Sequence, residues 1–148
     1  MKAEIITIGT EILLGQTLDT NSAFLGSSLA GIGIDVHRII SIADSPEAIE
    51  NALKLASFYN KKSRVIAFKN SFHGRTSAAV AVTDNPKIIS PLNAQQKVSF
   101  IKFNNIDELE FELKKGDVSS IIFESIQGVG GLDQPEEKFI KEMCLLSK

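Results

Sequence analysis

Five short runs rich in β-branched residues, each followed by a stretch of helical character, constrain this chain more than any other feature. The runs are AEIITIG at 3–9, IDVHRIISIA at 34–43, RVIAF at 64–68, VSFIKF at 98–103 and VSSIIFES at 118–125. Short apolar runs of this kind suit strands buried on both faces. After the first, TNSAFLGSSLAGIG sets Phe24, Leu25, Leu29 and Ile32 on one helical face that stops at Gly33. After the second, Asp44-Ser45-Pro46-Glu47 supplies an N-cap and an early proline for a helix through Ile49, Leu53 and Ala56 to Tyr59. SAAVAVT predicts a short helix stopped by Asp84-Asn85-Pro86. IDELEFELKKG carries Ile106, Leu109, Phe111 and Leu113 and ends on Lys-Lys-Gly, while PEEKFIKEMCLLSK opens a last helix with Pro135 and two glutamates at its positive end.

A βα unit repeated five times predicts an α/β domain: three-layer and doubly wound, with a mostly parallel sheet of about five strands, flavodoxin-like or Rossmann-like. Ligands of such sheets gather at the carboxyl ends of the strands, so the informative loops are 9–21, 43–46, 69–77 and 125–135. The stretch 84–97, polar and with two prolines, is the loosest.

A chain of 148 residues suffices for one domain with a real core. Hydrophobic residues at 43% and charged residues at 23% are close to globular averages, which favours neither disorder nor a coiled coil. The formal charge of −2, with no basic cluster beyond Lys61-Lys62 and Lys114-Lys115, argues against a nucleic-acid surface. Cys144 is the only cysteine, so neither an internal disulfide nor a thiolate metal site is available, and its place in FIKEMCLLS suits a small buried hydrophobe. No apolar run reaches the roughly 18 residues of a membrane span. Glu4 also interrupts the apolar start that a signal peptide would need, which makes a reducing cytoplasm the expected setting.

Chemistry concentrates after the third strand, where Phe72, His73, Gly74, Arg75 and Thr76 place an aromatic, an imidazole, a hinge, a guanidinium and a hydroxyl in succession. His73 is a general base by type, but His37 is the only other histidine and no triad partner is placed, so a structural role is the preferred reading. Arg75 suits either an anion contact at a strand end or a surface or dimer contact. Glu11 and Glu124 end different strands and could form a carboxylate pair if the fold brought them together. Gly128 to Asp133, GVGGLD, reads as a tight turn rather than a phosphate loop. The serines stand in no G-x-S-x-G setting, and no spacing suggests zinc.

Residues 1–46 resemble the amino-terminal domain of the CinA (competence/damage-inducible) family, shared with molybdopterin-cofactor biosynthesis proteins. Gly9, Glu11, Gly15, Asp19 and Asn21 match its G-x-E-L-L-x-G-x-x-x-D-x-N pattern. The resemblance implies a pterin or nucleotide pyrophosphate ligand and a later T-G-G-L-G-P-T loop, which this sequence lacks.

From about residue 48 onward the sequence resembles acetylornithine aminotransferase, a class III enzyme dependent on pyridoxal phosphate. FHGRT at 72–76 and the E-x-I-Q-G-x-G-G pattern at Glu124, Ile126, Gln127, Gly128, Gly130 and Gly131 carry this likeness. It implies that Phe72 stacks on a cofactor ring, that His73, Gly74 and Arg75 lie beside it, and that Glu124 and Gln127 approach substrate and cofactor. It also implies a Ser-Gly-Ala/Thr phosphate loop before the ENALKLA helix, where this chain has SIADSPEA, with Asp44 and Glu47 adding negative charge. The sequence stops at LLSK, before the family's aspartate for the pyridine nitrogen and its Schiff-base lysine.

Three expectations follow. The first is one α/β domain, 1–148, built as a hybrid of a CinA-like segment 1–46 and an aminotransferase-like segment 47–148, with pyridoxal phosphate by ancestry but none bound. The second is an aminotransferase fragment active only with a partner chain. The third is a nucleotide- or pterin-binding CinA-like module. Neither nucleic acid nor membrane is an expected partner; a homo-oligomer and a small-molecule ligand stay open.

Overall fold

The computed structural model describes residues 2–42 and 45–146. Among these described residues five strands and six helices run in the order β1 (Lys2–Ile8), α1 (Thr10–Leu13), α2 (Thr20–Gly31), β2 (Asp35–Ile42), α3 (Pro46–Asn60), β3 (Arg64–Phe68), α4 (Ser77–Ala81), β4 (Val98–Ile101), α5 (Ile106–Leu113), β5 (Val118–Ile121) and α6 (Glu137–Leu146). The α/β class and the parallel pairing are as expected. One feature of the expected sheet differs: the five strands divide into a two-stranded sheet, β1-β2, and a three-stranded sheet in the order β4-β3-β5.

The three-stranded sheet organises the core. Its middle strand β3 is buried along its whole length, and alternate side chains leave on opposite faces. Val65 and Ala67 meet Ile49 and Leu53 of α3, Ala79 of α4 and Val82 just after it. On the other face Ile66 and Phe68 meet Ile101, Leu109 of α5, and Phe139 and Met143 of α6. Phe68 stacks on Phe103 at 4.4 Å between ring centroids and meets Phe123 and Phe139 edge-on at 6.2 and 5.9 Å. This half has the three layers predicted from periodicity.

Helix starts follow local chemistry. Asp19 accepts the Ser22 N–H at 2.9 Å and opens α2, and Asn105 accepts the Glu108 N–H at 3.1 Å and opens α5. At α3 the cap is Ser45, followed by Pro46 in the first helical position; Asp44, the other cap candidate, lies outside the described residues. Helix α6 starts at Glu137, two residues after Pro135, and the Glu136 N–H donates to Asn104 Oδ1 at 2.7 Å. Helix α1 is one turn inside a stretch expected to be loop.

At the amino ends of the strands, Arg64 is 7% exposed. Its guanidinium donates to Asp117 Oδ1 through Nε at 2.8 Å and Nη2 at 2.6 Å, to Ser99 Oγ at 2.6 Å and to the Glu112 carbonyl at 2.8 Å, and it also pairs with the Glu112 carboxylate. One side chain thus ties β3, β4, α5 and the start of β5 together.

Candidate functional site

The carboxyl ends of β3 and β5 converge on the segment 69–76. After Phe68 the chain turns through Asn70, whose φ of 62° is left-handed. Its path is then fixed by bonds from distant residues. Glu124 Oε2 accepts the Phe72 N–H at 3.0 Å, and the side chain of Gln127 donates through Nε2 to the Lys69 carbonyl at 2.8 Å. The Gln127 to Asp133 stretch closes as a turn, with the Gln127 N–H on the Asp133 carbonyl at 2.8 Å and the Leu132 N–H on the Gln127 carbonyl at 2.9 Å. That turn lies so close to Asn70 that a Cβ at Gly130 would come within 2.2 Å of the Asn70 carbonyl oxygen. The glycine reading of GVGGLD therefore has a concrete basis at Gly130.

Two residues the sequence did not single out hold the loop from behind. Thr83, fully buried, accepts the His73 N–H at 2.9 Å and lies 3.0 Å from the Ala79 carbonyl and 3.3 Å from that of Gly74. Glu50 of α3 reaches the start of α4. A lone threonine after an alanine–valine run and a glutamate in mid-helix carry no sequence signal for such contacts.

Polar groups remain available at this place. Gln127 is 0% exposed and its Oε1 has no partner among the described residues; His73 Nε2 and Thr76 Oγ1 are likewise buried and unpartnered. Burial lowers the His73 pKa to about 4, so the imidazole is neutral near pH 7. Burial pushes the Glu124 carboxyl up, and the Phe72 N–H bond opposes that rise. Gly74 adopts a φ of 126°, a conformation that favours glycine. Arg75 is exposed and joins no ion pair among the described residues.

The candidates from the first loop behave differently. Asp19 Oδ1 and Oδ2 serve the cap of α2, taking the Ser22 N–H, the Ser22 hydroxyl at 2.6 Å and the Thr7 hydroxyl at 3.2 Å. The Ser22 hydroxyl is the main reason its carboxyl lies below the usual range; burial opposes it, and the Ser22 N–H and the Thr7 hydroxyl add to it. The Glu11 side chain is exposed and lies over Gly9, where an added Cβ would meet Glu11 Oε1 at 2.5 Å. Gly15 turns at φ 69° in the open. Asn21 lines a cleft of about 190 Å³ with Phe24 of α2 and with Phe123 and Ser125 in the segment after β5. Among the described residues no group of His, Cys, Asp and Glu could hold a metal ion, and no helix is long and apolar enough to cross a membrane.

With strand ends, loop and core in place, the chain can be set beside known proteins. Residues 16–148 match the aminotransferase class III family. The chain belongs to that family. The match begins at residue 16, inside the stretch that resembles CinA, so the two likenesses overlap over 16–46. Among curated relatives, mitochondrial acetylornithine aminotransferase of Candida glabrata is 39% identical over 124 residues, covering 74% of this chain and 29% of that protein. A CinA-like protein of Flavobacterium psychrophilum is 53% identical over 55 residues, covering 37% of this chain and 13% of that protein. Among solved structures, the ornithine aminotransferase of Toxoplasma gondii superposes with a TM-score of 0.59 at 28% identity, covering 68% of this chain and 26% of that one. The chain spans about a quarter to three tenths of the length of the curated aminotransferases it matches.

Class III aminotransferases use pyridoxal phosphate, and the start of α3 tests whether this chain suits it. A phosphate there needs free backbone donors. Pro46 has none, and the Ala48 N–H is committed to Ser45, 3.0 Å from its carbonyl and 3.3 Å from its hydroxyl. The Glu47 carboxylate already holds an anion's place, kept below its usual range first by its own backbone N–H and then by the Ser45 hydroxyl. This helix start does not fit a phosphate group.

Proposed function

We propose that the chain is a hybrid α/β domain, CinA-like over 1–46 and acetylornithine-aminotransferase-like over 47–148, that binds no pyridoxal phosphate and lacks a complete transamination site. The observation that carries this reading is the start of α3, where Pro46 supplies no donor and Ser45 takes the Ala48 N–H. Thermal unfolding with and without saturating pyridoxal phosphate tests it, because a ligand of the native state raises the midpoint by mass action. The expected midpoint is unchanged; a saturable rise would overturn the reading. Any weak absorbance from lysine modification should survive replacement of each lysine singly.

A second reading is an aminotransferase fragment active with a partner chain, since the fully buried Gln127 Oε1 and the burial-raised Glu124 offer ring-side groups. Transaminase activity appearing only on mixing with a complementary chain would support it. For a nucleotide- or pterin-binding CinA-like module the support is thinner, because Asp19 is engaged as the cap of α2. That reading requires Asp19→Ala to abolish ADP-ribose binding. The hybrid reading expects no binding to lose and about 1 kcal/mol of lost cap stability.

A further inference from the structure

Helix α4 begins with Thr76 in the cap position, yet Thr76 makes no capping bond and its buried Oγ1 has no partner among the described residues. The first amides of a helix have no intrahelical acceptor, and in a water-poor setting each needs one from elsewhere. Ala79, Val80 and Ala81 are all buried, so water is a poor candidate. The acceptor comes from another helix. Glu50 of α3, 28 residues earlier in the chain, takes the Ala78 N–H at 2.6 Å and the Ala79 N–H at 3.2 Å on the same oxygen, Oε1.

The consequence extends past α4. The Ala79 carbonyl accepts from the Thr83 hydroxyl at 3.0 Å, and Thr83 Oγ1 accepts the His73 N–H at 2.9 Å. A continuous series of bonds therefore joins α3 to the backbone of His73 through the start of α4. Nothing local in 72–76 replaces it: Gly74 sits at a positive φ and Thr76 leaves its cap position unfilled.

We infer that Glu50 is a positioning residue for the 72–76 loop, capping α4 from a neighbouring helix and so holding the His73 side of the loop, while Glu124 holds Phe72. This goes beyond the proposed function and holds whether or not any cofactor binds. Glu50 touches no reacting group; it acts through the amides of Ala78 and Ala79.

The test uses the full chain with four substitutions, read by amide hydrogen exchange and by NMR titration of His73. Glu50→Ala removes the acceptor, and exchange at Ala78 and Ala79 should speed up at least tenfold. With the loop released, the His73 midpoint should climb from about 4 toward the ordinary 6.5. Glu50→Gln keeps an oxygen at Oε1 and should stay near wild type in both readouts; it also serves if the alanine variant does not fold, together with the shorter Glu50→Asp, which should fall between. Asn60→Ala removes a different α3 bond, from Nδ2 to the Ser119 carbonyl at 2.8 Å, and should leave His73 unmoved. The inference fails if Glu50→Ala and Glu50→Asp leave both readouts at wild type, or if Asn60→Ala shifts His73 as far as they do.

Discussion

Glu124 Oε2 and the Phe72 N–H lie 3.0 Å apart, a bond that joins the end of β5 to the loop after β3 across 52 residues of sequence. The carboxyl is drawn upward by burial, so the native state keeps its proton to higher pH than the unfolded chain. Its contribution to stability is complete below the ordinary carboxyl value near 4.3 and fades as pH rises through the raised native value. Glu124→Gln should remove that component. Urea unfolding of wild type and variant between pH 4 and 7 isolates it as a difference in slope, and equal slopes would show that Glu124 is as well solvated as in the unfolded chain.

His73 contributes with the opposite sign. Its native pKa of about 4 lies below the unfolded 6.5, so between those values the unfolded chain binds more protons and stability rises with pH. The stabilisation of the neutral imidazole is complete above the unfolded value and fades as pH falls toward 4. His73→Gln should flatten this rise, and an unchanged pH profile would mean that the imidazole is not buried.

Gly130→Ala should be costly. The new Cβ would stand 2.2 Å from the Asn70 carbonyl oxygen and 2.9 Å from the Asn70 Cβ, atoms that cannot rotate away. Overpacking of this kind costs about 1–3 kcal/mol. For a chain of this size that lowers the melting temperature by roughly 3–10 °C. Gly128→Ala is the control, since a Cβ there meets nothing within 4 Å. Equal melting temperatures for the two variants would show that the 127–133 turn does not rest on Asn70.

Arg64→Ala should lose about 1–3 kcal/mol, because it removes one buried partner of the Glu112 carboxylate, 12% exposed, while Lys115 and Ser99 still hold that group. Asp117 is held low first by its hydrogen bond from Arg64. At Glu112 burial pulls upward, but bonds from Lys115, Ser99 and Arg64 outweigh it. Both native carboxyls thus lie below their unfolded values, so their stabilisation is full above pH about 4 and is lost as pH falls through the native values. Wild type should weaken in acid and Arg64→Ala should weaken less, because Asp117 loses its main partner while Lys115 and Ser99 still hold Glu112; parallel acid unfolding curves would contradict this account.

Most of the elements were legible because they are local. RVIAF at 64–68 reads as a strand from its β-branched residues, and the Ser45-Pro46 start of α3 is written in two adjacent residues. What was not legible is long-range. Strand periodicity is indifferent to which strand lies next to which, so the division into β1-β2 and β4-β3-β5 has no signature in any one run. The site shows the same limit. FHGRT and E-x-I-Q-G-x-G-G marked the right segments, but Thr83 and Glu50 are ordinary residues until the fold brings their oxygens to the amides of His73, Ala78 and Ala79. Asp19, whose motif implies a ligand residue, caps α2 and also takes the Thr7 hydroxyl of β1, a pair of contacts that the motif alone does not announce.

The division of the strands also sets how the chain would respond to load. The pairing of β1 with β2 is completed within residues 2–42, and that of β3 with β4 and β5 within 64–121. No strand ladder crosses from one group to the other among the described residues. Tension applied between the two ends of the chain therefore meets packed side chains at the junction, such as those where α2 rests on α6, before it meets a row of hydrogen bonds. The halves should separate first, each with its sheet intact, in a low-force step followed by two distinct extensions.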